Sequence, residues 1–108
     1  MALFMLQATY TADAWAKMAK NPEDREVAVR GLVERAGGRL HNLYFCLGAQ
    51  DIVVIFEAPD SKTAAAIAVA GCVPGHLKSG QTTELLTAAD SVQIMKKAGT
   101  LAYQGPKG

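Results

Sequence analysis

"RLHNLYFCLGAQDIVVIFEAPD", Arg39 to Asp60, holds two β-rich runs separated by Gly48-Ala49-Gln50 and closed by a Pro-Asp step. Branched and aromatic residues fill both runs, and a short Gly-containing break between such runs marks an antiparallel hairpin. Pro59, Asp60 and Ser61 then open a helix, "SKTAAAIAVAGC", on which Ala64, Ile67, Ala68 and Gly71 form a flat face suited to close packing. Asp51 stands at the hairpin exit, just before the second run. Its carboxylate is expected to accept N–H groups of that turn, so that Asp51→Ala costs ~1 kcal/mol.

Upstream, residues 2–10 read as a strand, and Thr11 with Asp13 offers N-capping chemistry for a short helix, "ADAWAKMAK". Trp15, Met18 and Ala19 share one face of it, with Trp15 as the anchor to the core. The "NPED" break starts another helix with Pro22 in its first turn and Glu23 and Asp24 near its positive end. A stripe of Val29, Leu32, Val33 and Ala36 runs to the stop at Gly37-Gly38. Downstream, residues 77–86 form a fourth strand and Thr87 to Lys97 a further helix after a Thr cap. The order βαββαβ plus a C-terminal helix specifies an α+β, ferredoxin-like sandwich with strand order 4-1-3-2 and antiparallel neighbours. Residues 1–98 are expected to form this one domain and residues 99–108 an irregular tail.

The length of 108 residues suffices for a core without disulfides or a structural metal. A formal net charge of +1, with only Lys78 and the Lys96/Lys97 pair of note among basic features, speaks against a nucleic-acid surface. The N-terminal "MALFMLQATY" lacks the basic and long apolar regions of a signal peptide or a membrane span. A cytoplasmic protein is expected, with Cys46 and Cys72 as thiols.

The sheet pattern carries more. Phe4, Leu6 and Ala8 point one way and Leu3 and Met5 the other; Ile52, Val54 and Phe56 oppose Val53 and Ile55. Strict alternation in the second strand sets Leu40, Tyr44 and Cys46 against Leu43, Phe45 and Leu47. Helices cover one face only, so an apolar second face calls for a second copy of the chain, unless the last helix folds back over it. The expected partner is therefore the protein itself, through its sheet.

Among groups that carry chemistry, His41 and His76 begin the two edge strands at opposite ends of the sheet, too far apart for one metal. Cys46, Asp51, Cys72 and His76 map to one end, but a cysteine ending a strand or helix is ordinarily a small buried hydrophobe. No phosphate cradle appears, because Gly37-Gly38 follows a helix instead of opening one. No catalytic residue, metal site or cofactor is assigned. His41, Tyr44, Asp51 and Tyr10 are the candidate ligand-binding residues, as polar groups beside an otherwise apolar fold.

"TADAWAKMAKNPEDR", "GGRLHNLYFCLGAQD", "IVVIFEAPD" and "SGQTTELLTAADSVQIMKKAG" together resemble the GYD-domain family of small bacterial proteins, from about Leu3 to Tyr103. The resemblance implies a ferredoxin-like domain that associates through its sheet as dimeric α/β barrels do, and it transfers no catalytic residue. The family's G-x-Y-D run is here Gly48-Ala49-Gln50-Asp51, with Gln50 in place of the tyrosine. The function expected is binding of a small apolar or metabolite ligand, or an accessory role, in a homo-oligomer. The alternatives are a small cofactor-independent enzyme with a pocket between sheet and helices, ringed by groups such as His41, Tyr44 or Asp51, and a purely structural assembly unit.

Overall fold

The structure is a computed structural model and describes residues 1–107. Along the chain run β1 (Ala2–Tyr10), α1 (Ala12–Lys20), α2 (Arg25–Arg35), β2 (Arg39–Phe45), β3 (Ile52–Ala58), α3 (Ser61–Cys72), β4 (Leu77–Leu85) and α4 (Ala88–Ala98). The four strands form one antiparallel sheet in the order β2-β3-β1-β4, the ferredoxin-like arrangement.

Side-chain oxygens start each helix, satisfying backbone N–H groups that have no partner inside the helix. Thr11 accepts from the N–H of Ala14, Asp24 from Glu26, and Asp60 from Thr63. Thr87 and Asp90 form a reciprocal capping box on α4. The cap of α2 is Asp24, so Pro22 lies in the link before the helix and not in its first turn. At the other end of α2, Gly37 donates to the carbonyl of Glu34 and Gly38 to that of Val33, a Schellman motif. Gly37 takes φ +84°, where only glycine is unstrained, while a Cβ on Gly38 would stand 2.3 Å from the carbonyl oxygen of Glu57.

The core lies between the sheet and the helices. Phe4 and Ala8 of β1, Ile52, Val54, Phe56 and Ala58 of β3, and Leu40 of β2 meet Val33 of α2 and Ala64 and Ile67 of α3. Phe4 and Phe56 stack with ring centroids 5.7 Å apart. On α1 the buried residue is Ala14 instead of the Trp15/Met18/Ala19 stripe; Trp15 is 41% exposed. Its indole packs edge-on against Tyr10 and Phe45 at the end of the sheet, outside the core.

In β2 the expected alternation fails at one point. Leu40 stands opposite Phe56 and Asn42 opposite Ile55, so His41 is an extra residue in a bulge. The bulge shifts every later side chain to the other face. Leu40, Leu43 and Phe45 therefore share the helix-covered side, while Tyr44, opposite Val53, faces away from the helices.

The helix-free face keeps an apolar centre of Leu3, Met5, Val53 and Ile55, extended by Leu85 opposite Leu3. Gln7, Gln81, Thr83, Asn42, Tyr44 and Glu57 rim it. No residue of α4 is buried, so this helix does not fold back as a cover. The radius of gyration is 17.5 Å, against about 13 Å for a compact chain of this size. The excess reflects α4 and the residues after it standing off the sandwich, with Val92, Ile94, Met95, Leu101 and Tyr103 exposed.

Candidate functional site

Helix α2 packs on β2, and α3 packs on β4 and β3. Between them a strip of β1 and β3 is left under a cavity of about 760 Å³, closed at one end by α1. Its volume is within the range of small-molecule sites, roughly 300–1,000 Å³. The deepest wall is sealed: Ala8, Val33, Ile52, Val54, Phe56 and Ile67 are at most 4% exposed. Half-buried Leu6, Met18, Val29, Leu32 and Leu77 form the open walls. The helices contribute Ala14, Ala28, Ala70 and Gly71, residues too small to fill the space they face.

Polar groups gather where β1 ends. Tyr10, Arg25 and His76 line the cavity there, with Lys17, Lys20, Asn21 and Glu23 around them. Burial pushes the Tyr10 phenol above its ordinary pKa of 10.0, the Arg25 guanidinium beside it pulls the other way, and the Asp51 carboxylate adds a smaller upward push. At neutral pH the phenol is a hydrogen-bond donor, next to a permanent cation. Arg25 also pairs with Glu23, which is largely exposed, and Lys17 pairs with Asp13 at 3.1 Å. On its other side the Tyr10 ring belongs to an aromatic trio, 5.4 Å from Trp15 and 6.1 Å from Phe45.

Asp51 holds this end of the sheet together. Its N–H donates to the carbonyl of Ala8 (2.9 Å), its carbonyl accepts from Cys46 (2.8 Å), and its carboxylate accepts from the N–H of Tyr10 (2.8 Å). The carboxylate thus serves a residue 41 positions away, not the N–H groups of its own turn. The reason lies in β1: its pairing with β4 shifts between Thr9 and Tyr10, and Asp51 supplies the Tyr10 N–H with an acceptor there.

Of the four candidates from the sequence, Tyr10 lines the cavity and Asp51 braces it from behind. His41 and Tyr44 lie on the other face, with His41 Nε2 3.4 Å from Glu57 Oε2 and Tyr44 59% exposed. His76, weighed in the sequence only for metal binding and thiol chemistry, lines the cavity, and so does Arg25, to which the sequence assigned no site role. The signal for the cavity itself was indirect: Ala and Gly at helix positions that face the sheet. Cys46 and Cys72 are both free thiols, neither lines the cavity, and Cys72 is exposed instead of buried. Among the described residues no three His, Cys, Asp or Glu side chains are grouped to hold a metal ion, and no helix is long and apolar enough to cross a membrane.

The family model of the GYD domain matches residues 4–95. Among solved structures the fold is similar to that of MtbAldR, with a TM-score of 0.55 and 17% identity, covering 80% of this chain and 52% of that one. The chain thus spans about half the length of MtbAldR, and at this identity the likeness is one of fold. An uncharacterised NIPSNAP domain protein from Burkholderia xenovorans aligns over 82% of this chain and 96% of its own, with a TM-score of 0.47 and 19% identity. No curated protein matches the sequence.

Proposed function

From the chain's membership of the GYD-domain family, together with the cavity between its sheet and helices, we propose that it is a small-ligand-binding domain working as a homo-oligomer. The cavity is the observation that carries the proposal: about 760 Å³ of largely apolar space with its polar groups collected at one end. A concave, largely apolar site of this size with a few convergent polar groups is the usual form of a small-molecule site.

Self-association is supported by two surfaces left uncovered within one chain. One is the apolar centre of the sheet, Leu3, Met5, Val53 and Ile55 inside a polar rim, the anatomy of a protein interface. The other is α4, whose last-turn lysines and apolar Val92 and Met95, three positions apart, mark an amphipathic helix with no buried residue. Pairing through the sheet leaves the cavity of each subunit on the outer side, accessible to a ligand. A cofactor-independent enzyme using the same cavity is the second reading, favoured by His76 and the protonated Tyr10 on one wall.

Native mass spectrometry of the purified protein tests the proposal. The expected spectrum is an oligomer carrying a small-molecule adduct that is lost on denaturation and absent from an Ala28→Trp variant, which sets a bulky side chain in the cavity lining. A stable monomer refutes the assembly; an adduct that survives Ala28→Trp unchanged refutes the cavity as its site.

A further inference from the structure

The polar end of the cavity has one cation set against its apolar floor. Lys17, Lys20 and Arg25 line this end; Lys17 is paired with Asp13, while Arg25 is paired with Glu23, whose carboxylate reaches it from an exposed position. Behind the cavity wall, the Asp51 carboxylate accepts from the N–H of Tyr10. The Tyr10 hydroxyl sits beside the Arg25 guanidinium, so a donor and a cation are presented together over a floor that is wholly apolar. At the far end of α2, Arg35 also lines the cavity, but it stands without such companions and its guanidinium lies against the backbone at Gly31.

We infer that the ligand is an amphipathic carboxylate, with its anionic head on Arg25 and the Tyr10 hydroxyl and its hydrocarbon tail along Leu6, Val29, Leu32 and Val54. The inference rests on the cavity being a ligand site and adds to that the chemistry of the occupant. A guanidinium takes a carboxylate through two parallel N–H···O bonds, and an adjacent phenol adds a third donor. The head can displace Glu23, whose exposed carboxylate returns to water at little cost. A neutral amphiphile would make no charge-assisted pair with the guanidinium. A cationic one would set a like charge against the Arg25 guanidinium. The tail has room, because α2 runs for 11 residues from Arg25 to Arg35, roughly 16 Å.

The experiment uses decanoate, decanol and decylamine, which share one tail and differ in the head. Binding is followed by emission of Trp15, whose ring is 5.4 Å from that of Tyr10, and the stoichiometry is checked by native mass spectrometry. Decanoate is expected to bind once per chain and at least about tenfold more tightly than the other two, the effect of one charge-assisted pair. Arg25→Gln should remove that preference while leaving decanol unchanged; Arg25→Lys should keep part of it; Arg35→Gln should keep all of it. Equal binding of decanoate and decanol overturns the carboxylate assignment and leaves the cavity as a ligand site. Equal losses in Arg25→Gln and Arg35→Gln overturn the placement of the head. Binding of none of the three probes overturns the ligand site itself.

Discussion

Replacing Asp51 by alanine deletes the acceptor that holds the N–H of Tyr10 at 2.8 Å, and nothing in an alanine side chain can take its place. The bond is part-buried and its acceptor is charged. Hydrogen bonds to charged groups contribute about 1.5–3 kcal/mol, and partial exposure brings the expected loss in Asp51→Ala to about 2 kcal/mol. That is about twice the cost expected if the carboxylate served only its own turn. For a domain of this size the loss corresponds to a fall in Tm of roughly 10 °C. Asp51→Asn keeps a neutral oxygen in place and should lose about 1 kcal/mol. Urea unfolding followed by Trp15 emission and by far-ultraviolet circular dichroism measures both variants, at one fixed protomer concentration because assembly adds to stability. Amide hydrogen exchange locates the effect, since the Tyr10 N–H should exchange faster in Asp51→Ala than in the wild type. A variant within about 0.5 kcal/mol of wild type, the range of neutral surface changes, or one whose Tyr10 amide keeps its protection, would refute the cross-strand role.

Gly38→Ala sets a Cβ 2.3 Å from the Glu57 carbonyl oxygen and close to Val33, so it should cost roughly 3 kcal/mol, the upper end of overpacking penalties. Gly37→Ala, limited by φ +84° with only Pro59 near, should cost about 1 kcal/mol; thermal melts that reverse this ranking would sink the close-approach explanation. Tyr10 holds its proton to higher pH when folded, chiefly because it is buried. Its contribution is therefore complete below pH 10.0, the unfolded value, and lost as pH rises through the higher folded one. Tyr10→Phe should be less sensitive to alkaline denaturation than wild type, and identical pH profiles would count against the phenol. Ile55→Lys places a charge at the centre of the uncovered sheet face, opposite Met5; light scattering should show dissociation to monomers with the far-ultraviolet spectrum unchanged, and an intact oligomer would move the interface elsewhere.

Local chemistry was enough for the element order and most of the boundaries. Thr11, Asp60 and Thr87 precede their helices by one residue because a short side-chain oxygen can reach an N–H only from that position. The alternation in β1 and β3 identified both faces of the central strands, since neighbouring side chains in an extended chain must point apart. From these runs the ferredoxin-like topology and the family resemblance followed.

Other features depended on parts of the chain that are distant in sequence. The bulge at His41 is a mismatch between two strands, and no residue of β2 alone announces it; its consequence is that Leu40 and Leu43 share a face. The role of Asp51 rests on a partner 41 residues away, reached because β1 loses its register with β4 at that point. The cavity exists because α2 and α3 settle on different strands and leave the sheet open between them. The alanines and glycine along its walls look in sequence like close-packing residues; whether small side chains bring helices together or leave a space is decided by where the neighbouring elements come to rest. Arg25 becomes a neighbour of Tyr10 only through that docking, and His76 through the pairing of β4 with β1, so the chemistry of the site belongs to the tertiary structure.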